Sequence, residues 1–474
     1  MIFASFTLFT GCAVGPNYVP DEPETPDVWH QELTRGLATG EVDLRTWWKI
    51  FGDPQIDTLI ERASGGNLDV QESLARVMET RARVGFAKGE YFPDTNAGGE
   101  IARTRPSKGI SQNMPPPANR HDTLYATGLD AVWEMDVWGR IRRSVESADA
   151  DMQASIEDYR DVQVTLYAEV ALNYVEIRAL QTRIDYALGN VKTQSDALKL
   201  TQDRRDAGIG SDLEVSQAEL NLARTESAVP SLRQRLAEAI HRLGVLMGEP
   251  PNALYAELSE HEPIPAPEAS EILIGLPTEL LRQRPDVRSA ERELAAQTAR
   301  IGVATAELYP SFSLNGSFEF AAYSSSSFFS SGNKAWGVGP TFRWNLFDGG
   351  RVRSLIRVED ARAEQAAARY EHTILRAMEE VEDAMVAFVE ESARREALTR
   401  STAAAQKSSD LVLILYRTGL TDFQNVLDMD RSLFLEQDAL GESEGRVSQN
   451  LIRIYKALGG GWAADELSVT ASSN

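Results

Sequence analysis

Cysteine is almost absent from this chain: Cys12 is the single one among 474 residues. One thiol excludes an intramolecular disulfide bond and a zinc site built from cysteines. The five histidines are scattered, and no two of them have the spacing of metal ligands. The glycine-rich segments lack the lysine of a phosphate-binding loop. We therefore predict no cofactor, no metal site and no enzymatic activity.

Positive charge is in deficit as well. The chain carries 48 Lys and Arg residues against 71 Asp and Glu residues, which gives a formal net charge of -23. Nucleic-acid binding requires clustered basic side chains, so nucleic acid is excluded as a partner. No apolar run approaches the roughly 20 residues of a membrane-spanning helix. Any spanning part would therefore have to be a closed β-barrel.

The N-terminus is typical of a bacterial secretion signal. Residues 1–10 are apolar or small, and Gly11 and Cys12 follow them. A small residue directly before a cysteine is similar to a lipobox, so we predict that residues 1–11 are removed and that Cys12 is lipidated. No Lys or Arg precedes the apolar run, and Phe9 stands where leucine is usual. An unmodified cysteine therefore stays open as the alternative.

The chain repeats itself. Residues 69–99 align without a gap on residues 286–316, and further matches continue to the end of each half. The matched pairs include Gly128 with Gly339, Trp133 with Trp344, Arg140 with Arg351, Gly208 with Gly419, and Gly248 with Gly459. Each copy predicts the order helix, strand, strand, helix, helix. The predicted boundaries are an arm over 12–53, repeats over 54–248 and 277–460, a Pro-rich linker over 249–276, and a tail over 461–474.

Two long helices are predicted, one in each repeat. No proline occurs from Ile141 to Arg205, and apolar residues recur there at spacings of three and four. At about 1.5 Å per residue such a helix approaches 100 Å, so it must pack in a long helical bundle. The first helix ends at Gly208-Ile209-Gly210-Ser211, and the second ends at Gly419-Leu420-Thr421-Asp422. Glycine favours the left-handed residue that ends a helix, and Ser211, Thr421 or Asp422 can cap the next one.

Four strands are predicted, two in each repeat. Residues 311–320 alternate between polar and apolar, and the return strands run over 123–135 and 336–347. Four strands cannot close a barrel around a lumen. Two copies of the chain would give eight strands filled by their own side chains, whereas three copies would give 12 strands and an aqueous lumen. A soluble α+β protein with small hairpins is the alternative. The predicted fold class is α+β, mostly α.

Several motifs resemble those of the TolC-like outer-membrane efflux factors, in particular the lipoprotein branch that serves resistance-nodulation-division pumps. These motifs are the arm that follows Cys12, Trp47-Trp48-x-x-Phe51-Gly52-Asp53-Pro54, Leu281-Arg-Gln-Arg-Pro-Asp-Val-Arg288, Phe347-Asp-Gly-Gly-Arg351 and Ala457-Leu-Gly-Gly-Gly-Trp462. The resemblance implies a homotrimer with a 12-strand barrel, a periplasmic coiled-coil barrel of helices and a mixed equatorial region. It places the protein in the outer membrane, lipid-anchored and extending into the periplasm.

The function that the resemblance implies is passive conduction of small toxic compounds out of the cell. The partners would be a periplasmic adaptor protein, an inner-membrane resistance-nodulation-division pump and outer-membrane lipid. An exit duct for type I protein secretion is the alternative. The lipoprotein-like start and the Trp47-Trp48 motif favour efflux.

The resemblance also implies where the gate lies. Family members carry two aspartates, three residues apart, around the closed periplasmic aperture; the matching positions here are Asn425 and Asp428, so only Asp428 keeps the pattern. In the alignment of the two repeats, Glu214-Val-Ser-Gln217 of the first repeat matches the segment Asn425–Asp428 of the second. Tyr416 matches a residue that bonds to the neighbouring coil. The two turns, 208–211 and 419–422, would meet the adaptor. The alternatives are solvated side chains, coil packing and simple helix capping.

Overall fold

The computed structural model describes residues 13–20, 26–40, 43–105, 122–267, 272–275, 277 and 283–462. Its helices are α1 (Pro54–Gly66), α2 (Leu68–Gly89), α3 (Arg140–Asp206), α4 (Asp212–Leu246), α5 (Pro285–Ala306), α6 (Arg351–Arg417) and α7 (Phe423–Ala457). Its strands are β1 (Leu37–Thr39), β2 (Asp94–Thr104), β3 (Asp122–Met135), β4 (Ile272–Ile274), β5 (Ser311–Ala322) and β6 (Lys334–Arg343). Cys12 and the connection over residues 106–121 lie outside the described residues.

The duplication is visible in the lengths of the helices. Helices α3 and α6 have 67 residues each, α4 and α7 have 35 each, and α2 and α5 have 22 each. The predicted order of helix, strand, strand, helix and helix is confirmed in both halves. The mostly helical fold class is confirmed with it.

Strands β2, β3, β5 and β6 form one antiparallel sheet in that order. Strands β3 and β5 join the two repeats, with Met135 opposite Phe312. Because paired residues project to the same side, the register separates two faces. One face is apolar and carries Leu129, Ala131, Trp133, Met135, Phe312, Leu314, Phe318, Phe320, Trp336, Val338 and Phe342. The other is polar and carries Asn96, Asp130, Glu134, Ser313, Asn315, Ser317, Glu319 and Thr341.

One predicted strand is too long at its end. The return strand of the second repeat was expected to reach Phe347, but β6 ends at Arg343. The reason is the register, because Arg343 lies opposite Ser311, the first residue of β5. Residues 344–347 therefore have no strand to pair with in the part of the chain that the structure describes.

A second, parallel sheet was not predicted. Strands β1 and β4 pair in register, with Leu37 opposite Ile272 and Thr39 opposite Ile274. Each has only three residues. Such short strands give no alternation that a sequence pattern can reveal.

The chain divides into two compact units, and each draws on both repeats. The first comprises residues 1–22, 76–155 and 289–370, of which the described part contains the four-stranded sheet. The second comprises residues 23–75, 156–288 and 371–474 and contains the largest apolar core. Among the described residues, none of the helices combines the length and the hydrophobicity that a membrane crossing needs.

The Trp47-Trp48 motif anchors the second unit. Trp47 is 3% exposed and stacks on Tyr455, with ring centroids 5.6 Å apart. Trp48 meets Tyr167 edge to face at 5.4 Å. Asp53 then caps α1 by accepting a hydrogen bond from the backbone N–H of Gln55 at 2.8 Å. The motif therefore forms an apolar anchor directly before the N-terminus of α1.

A buried carboxyl group in this unit gives a prediction of pH dependence. Burial, reinforced by the charge of Asp286, raises the pKa of Asp161 to about 6. Since the pKa in the folded state exceeds the unfolded value of about 3.9, the protonated group stabilises the fold below about pH 4. That stabilisation is lost as the pH rises through about 6. Asp161→Asn should therefore raise the free energy of unfolding at pH 7 by about 2 kcal/mol.

Urea unfolding followed from pH 4 to pH 8 measures this effect. The difference between Asp161→Asn and the wild type should grow with pH and level off above about 7. The exposed Asp203 on the same helix provides the matched control, Asp203→Asn. A pH-independent difference for Asp161→Asn would contradict the prediction.

Candidate functional site: the helical tip

Both long helices end in the same backbone motif. Gly208 and Gly419 have φ values of 78° and 77°, in the left-handed region that glycine adopts without strain. The N–H of Gly419 donates to the carbonyl of Tyr416, and the N–H of Leu420 donates to that of Leu415. Gly208 and Ile209 repeat this pair of bonds on α3. Each turn is therefore a Schellman motif, which satisfies carbonyls that the helix end would leave unpaired.

The two helices that return from the tip begin differently. The Ser211 hydroxyl accepts a hydrogen bond from the N–H of Glu214 at 3.3 Å, which confirms the predicted cap. Asp422 occupies the capping position of α7, but its side chain makes no cap bond. The Thr421 hydroxyl instead accepts from the side chain of Asn425 at 2.8 Å.

Apolar side chains lie uncovered at both turns. Ile209 is 66% exposed and Leu420 is 75% exposed. Each follows the left-handed glycine, the position at which a Schellman motif usually makes an apolar contact within the chain. Here they face outward and leave an apolar surface at the tip. The backbone of Gly210 lies close to the last turn of α3, since a Cβ at Gly210 would lie 2.9 Å from the backbone nitrogen of Arg205.

Tyr416 lies at the centre of a contact among four helices. Its hydroxyl donates to Oε2 of Glu214 on α4 at 3.2 Å. The guanidinium of Arg204 on α3 lies over its ring, 4.8 Å from the centroid. Phe423 on α7 packs against it with centroids 5.1 Å apart. We call these four residues the Tyr416 cluster.

Tyr416 is buried in this cluster, and its phenol group keeps its proton. Tyr416 is 2% exposed, and it belongs to an apolar group with Val426 and Leu427. Burial, together with the negative charge of Glu214, raises the pKa of Tyr416 to about 12. The phenol therefore stays protonated and remains a hydrogen-bond donor at physiological pH.

Asp428 and Asn425 lie outside this cluster. The side chain of Asp428 is about half exposed, accepts from Gln424 at 3.1 Å and lies 3.9 Å from Arg431. All of these partners belong to its own helix. Asn425 is exposed and bonds to Thr421. Neither side chain joins one helix pair to the other.

Sequence reasoning missed two features of the tip. It named Glu214 only as a counterpart in the repeat, whereas the residue is the acceptor for Tyr416. It did not find Asp430, which is 5% exposed and accepts from the Ser409 hydroxyl at 2.9 Å. Burial raises the pKa of Asp430. An acidic residue at a core position of α7, between Leu427 and Leu433, was the available signal.

The arm that follows Cys12 is held along the first unit. The N–H of Val14 donates to the carbonyl of Trp138 at 3.0 Å. Gly15 has a φ of 88°, and a Cβ there would lie 2.5 Å from the Cα of Gly302. Tyr18 donates to Glu291 at 3.0 Å. Residues 13–20 have no regular secondary structure, yet these contacts determine their path closely.

Arg143 holds this arm. Its side chain is 4% exposed and donates to the carbonyls of Val14 and Gly15 and, at 2.6 Å, to Oδ1 of Asn17. Glu146 accepts a fourth bond at 2.8 Å. Three of the four acceptors belong to the arm, so this guanidinium attaches the arm to α3.

No group of three or more metal-binding side chains occurs within the part of the chain that the structure describes. The helical tip combines hydrogen bonds, charged side chains and exposed apolar surface.

Comparison with known proteins assigns the family. The profile of the outer membrane efflux protein family matches residues 59–249 and 276–460, so the chain belongs to that family. Its members are channels of the outer membrane rather than enzymes.

Three similar proteins illustrate this membership. Nodulation protein T of Rhizobium leguminosarum bv. trifolii is 30% identical over 95% of this chain and 94% of its own length. The pyoverdine export outer membrane protein OpmQ of Pseudomonas aeruginosa is 30% identical over 98% and 97%. The structure of the outer-membrane channel OprN has a TM-score of 0.87 at 36% identity and covers 95% of this chain and 100% of that one.

Proposed function

We propose that three copies of the chain close a 12-strand barrel across the outer membrane and form the exit duct of a tripartite efflux assembly. A periplasmic adaptor and a resistance-nodulation-division pump would deliver small toxic compounds to it. Lipidation of Cys12 would anchor each copy through the arm that Arg143 holds.

The single observation that carries the proposal is the four-stranded sheet. It has one apolar and one polar face, and its edges, β2 and β6, have no partner among the described residues. An uncovered edge readily pairs with another chain, and closure removes it. An apolar outer face and a polar inner face are what a membrane barrel requires.

The internal repeat predicts how β6 of one copy would pair with β2 of the next. Within the chain Ala131 lies opposite Gly316. Their counterparts in the repeat are Phe342 and Gly99, so these two residues should lie opposite each other between copies. The same register would give residues 344–346 the strand partner that they lack within one chain.

Disulfide cross-linking in intact outer membranes tests this closure. The double variant Phe342→Cys/Gly99→Cys should give a ladder that ends at a covalent trimer, because opposed residues satisfy disulfide geometry. The matched control is Phe342→Cys/Arg103→Cys, on the same face but displaced by about 13 Å along the strand. The wild-type chain reports any background from Cys12.

A ladder that ends at the dimer would indicate a barrel of eight strands and not of 12. Equal cross-linking in both double variants would contradict the proposed register between β6 and β2. The cross-linked trimer should also co-purify with an adaptor and a proton-driven pump. Recovery of a peptide exporter instead would assign the duct to protein secretion.

We propose further that the Tyr416 cluster holds the periplasmic end closed. Its support is that Tyr416 joins α6 to α4 through a buried contact, whereas Asp428 bonds only within α7. Asp428 and Asn425 would then shape the charge of the aperture. The turns 208–211 and 419–422 would dock the adaptor through Ile209 and Leu420.

A further inference from the structure

A cavity of about 420 Å³ lies in the first compact unit, where the four-stranded sheet meets the helices. Its walls come from the ends of β3 and β6 and from the starts of α3, β5 and α6. Glu134, Ser311 and Arg343 belong to the polar face of the sheet and line the cavity. The cavity therefore adjoins the polar face of the sheet.

The first repeat neutralises its arginine at this junction. Arg140 donates to Glu134 at 2.8 Å and to Glu90 at 2.9 Å. Two carboxylates thus surround one guanidinium, and the pKa of Arg140 is raised by these bonds. The positive charge of Arg140 is therefore balanced by carboxylates of the first repeat.

The second repeat departs from this arrangement. Arg351 is the counterpart of Arg140, but Asn345 stands at the position of Glu134. The remaining carboxylate, Glu307, is the counterpart of Glu90 and forms no ion pair with Arg351. Among the described residues, Arg351 has neither a salt-bridge nor a hydrogen-bond partner for its side chain.

The second repeat also contributes a second guanidinium group, that of Arg343, to the lining of the same cavity. Arg343 occupies the position of Val132 in the first repeat, and its side chain also has no partner in the described part of the chain. The other lining carboxylates are engaged, since Glu134 binds Arg140 and Asp136 binds the backbone and side chain of Arg142. Two cations without an ion pair therefore face Glu307, the lining carboxylate that is not engaged. Asp348 lies outside the lining and acts on Arg351 through its charge alone, because its oxygens accept from the N–H groups of Gly350 and Val352.

We propose that this cavity binds the carboxylate of a small organic anion, with Arg343 and Arg351 as its ligands. Guanidinium groups present paired N–H donors in the plane that a carboxylate requires. Trp138 and Tyr309, stacked at 4.7 Å in the same wall, supply aromatic surface for an organic body. The inference deepens the proposed function, since it rests on the polar face lining the path of exported solutes.

Binding of benzoate to the purified full-length protein in detergent tests the site. Arg343→Gln/Arg351→Gln should weaken binding about tenfold, because two charge-assisted hydrogen bonds are lost. Glu307→Gln should strengthen it about threefold, because a like charge is removed. The exposed Arg357→Gln, six residues further along α6, is the matched control and should leave the affinity unchanged.

Opposite signs for the arginine and glutamate variants distinguish a binding site from a general loss of structure. Equal affinity in the double variant, or a weakening in Glu307→Gln, would overturn the proposal. Inorganic phosphate that competes as strongly as benzoate would overturn the assignment to organic carboxylates. Because the measurement needs neither membrane nor pump, it can succeed or fail independently of the cross-linking that tests the duct.

Discussion

Tyr416→Ala should raise the open fraction of the channel in planar bilayers by more than about 100-fold. The substitution empties a site that is 2% exposed, and removal of a buried aromatic ring costs about 3–5 kcal/mol. Under the proposal that this cluster holds the end closed, the cost falls on the closed arrangement, because Tyr416 joins α6 to α4. The measurement is the single-channel conductance and the open time of purified protein.

Two further variants separate the parts of the contact. Tyr416→Phe keeps the ring but loses the bond to Glu214, so it should shift the equilibrium only about fivefold, as expected for one hydrogen bond. Glu214→Gln keeps an acceptor oxygen and removes the charge beside Arg204. Tyr255→Ala is the matched control, since Tyr255 is 51% exposed. A channel that stays trimeric and closed in Tyr416→Ala would show that the gate lies elsewhere, with Asp428 as the next residue to change.

Arg143→Ala should release the N-terminal arm and destabilise the first unit by about 3 kcal/mol. It leaves two backbone carbonyls and the Asn17 side chain without their donor, and hydrogen bonds to a charged group contribute about 1.5–3 kcal/mol. Limited proteolysis should cut residues 13–20 in the variant and not in the wild type. The thermal midpoint should fall with it.

Conservative and distant changes provide the controls for Arg143. Arg143→Lys keeps the charge but cannot span the acceptors that the planar guanidinium reaches, so it should give an intermediate result. Arg357→Ala removes an exposed arginine that bonds only to Arg353 and Ser354 nearby, and should change neither readout. An arm that stays protected in Arg143→Ala would mean that Tyr18 and Gly15 suffice to hold it.

Local signals explain what the sequence predicted well. The repeat, the proline-free stretch after Arg140 and the two glycine turns each depend on neighbours along the chain, and the helices begin and end close to where these signals stand. Ser211 as a helix cap follows from the same local chemistry.

The remaining features depend on distant partners. Tyr416 and Glu214 are 202 residues apart, and no local sequence pattern around either residue indicates that they are in contact. The arm touches Arg143 across more than 120 residues. Strand β6 stops at Arg343 because β5 begins opposite it, which is a property of register and not of the residues that follow. The family resemblance implied that Tyr416 bonds to the neighbouring coil, but the acceptor, Glu214, was not predicted.

The equal lengths of α3 and α6 restrict how such a chain can change over generations. A single residue inserted into either 67-residue helix would turn everything beyond it by about 100° and displace its Schellman turn by about 1.5 Å relative to the unaltered repeat. The stripe that packs on the neighbouring helices would then face solvent. Length differences between relatives should accumulate outside the long helices, for example in the connection over 323–333, and a gain or loss inside one helix should be matched in the other.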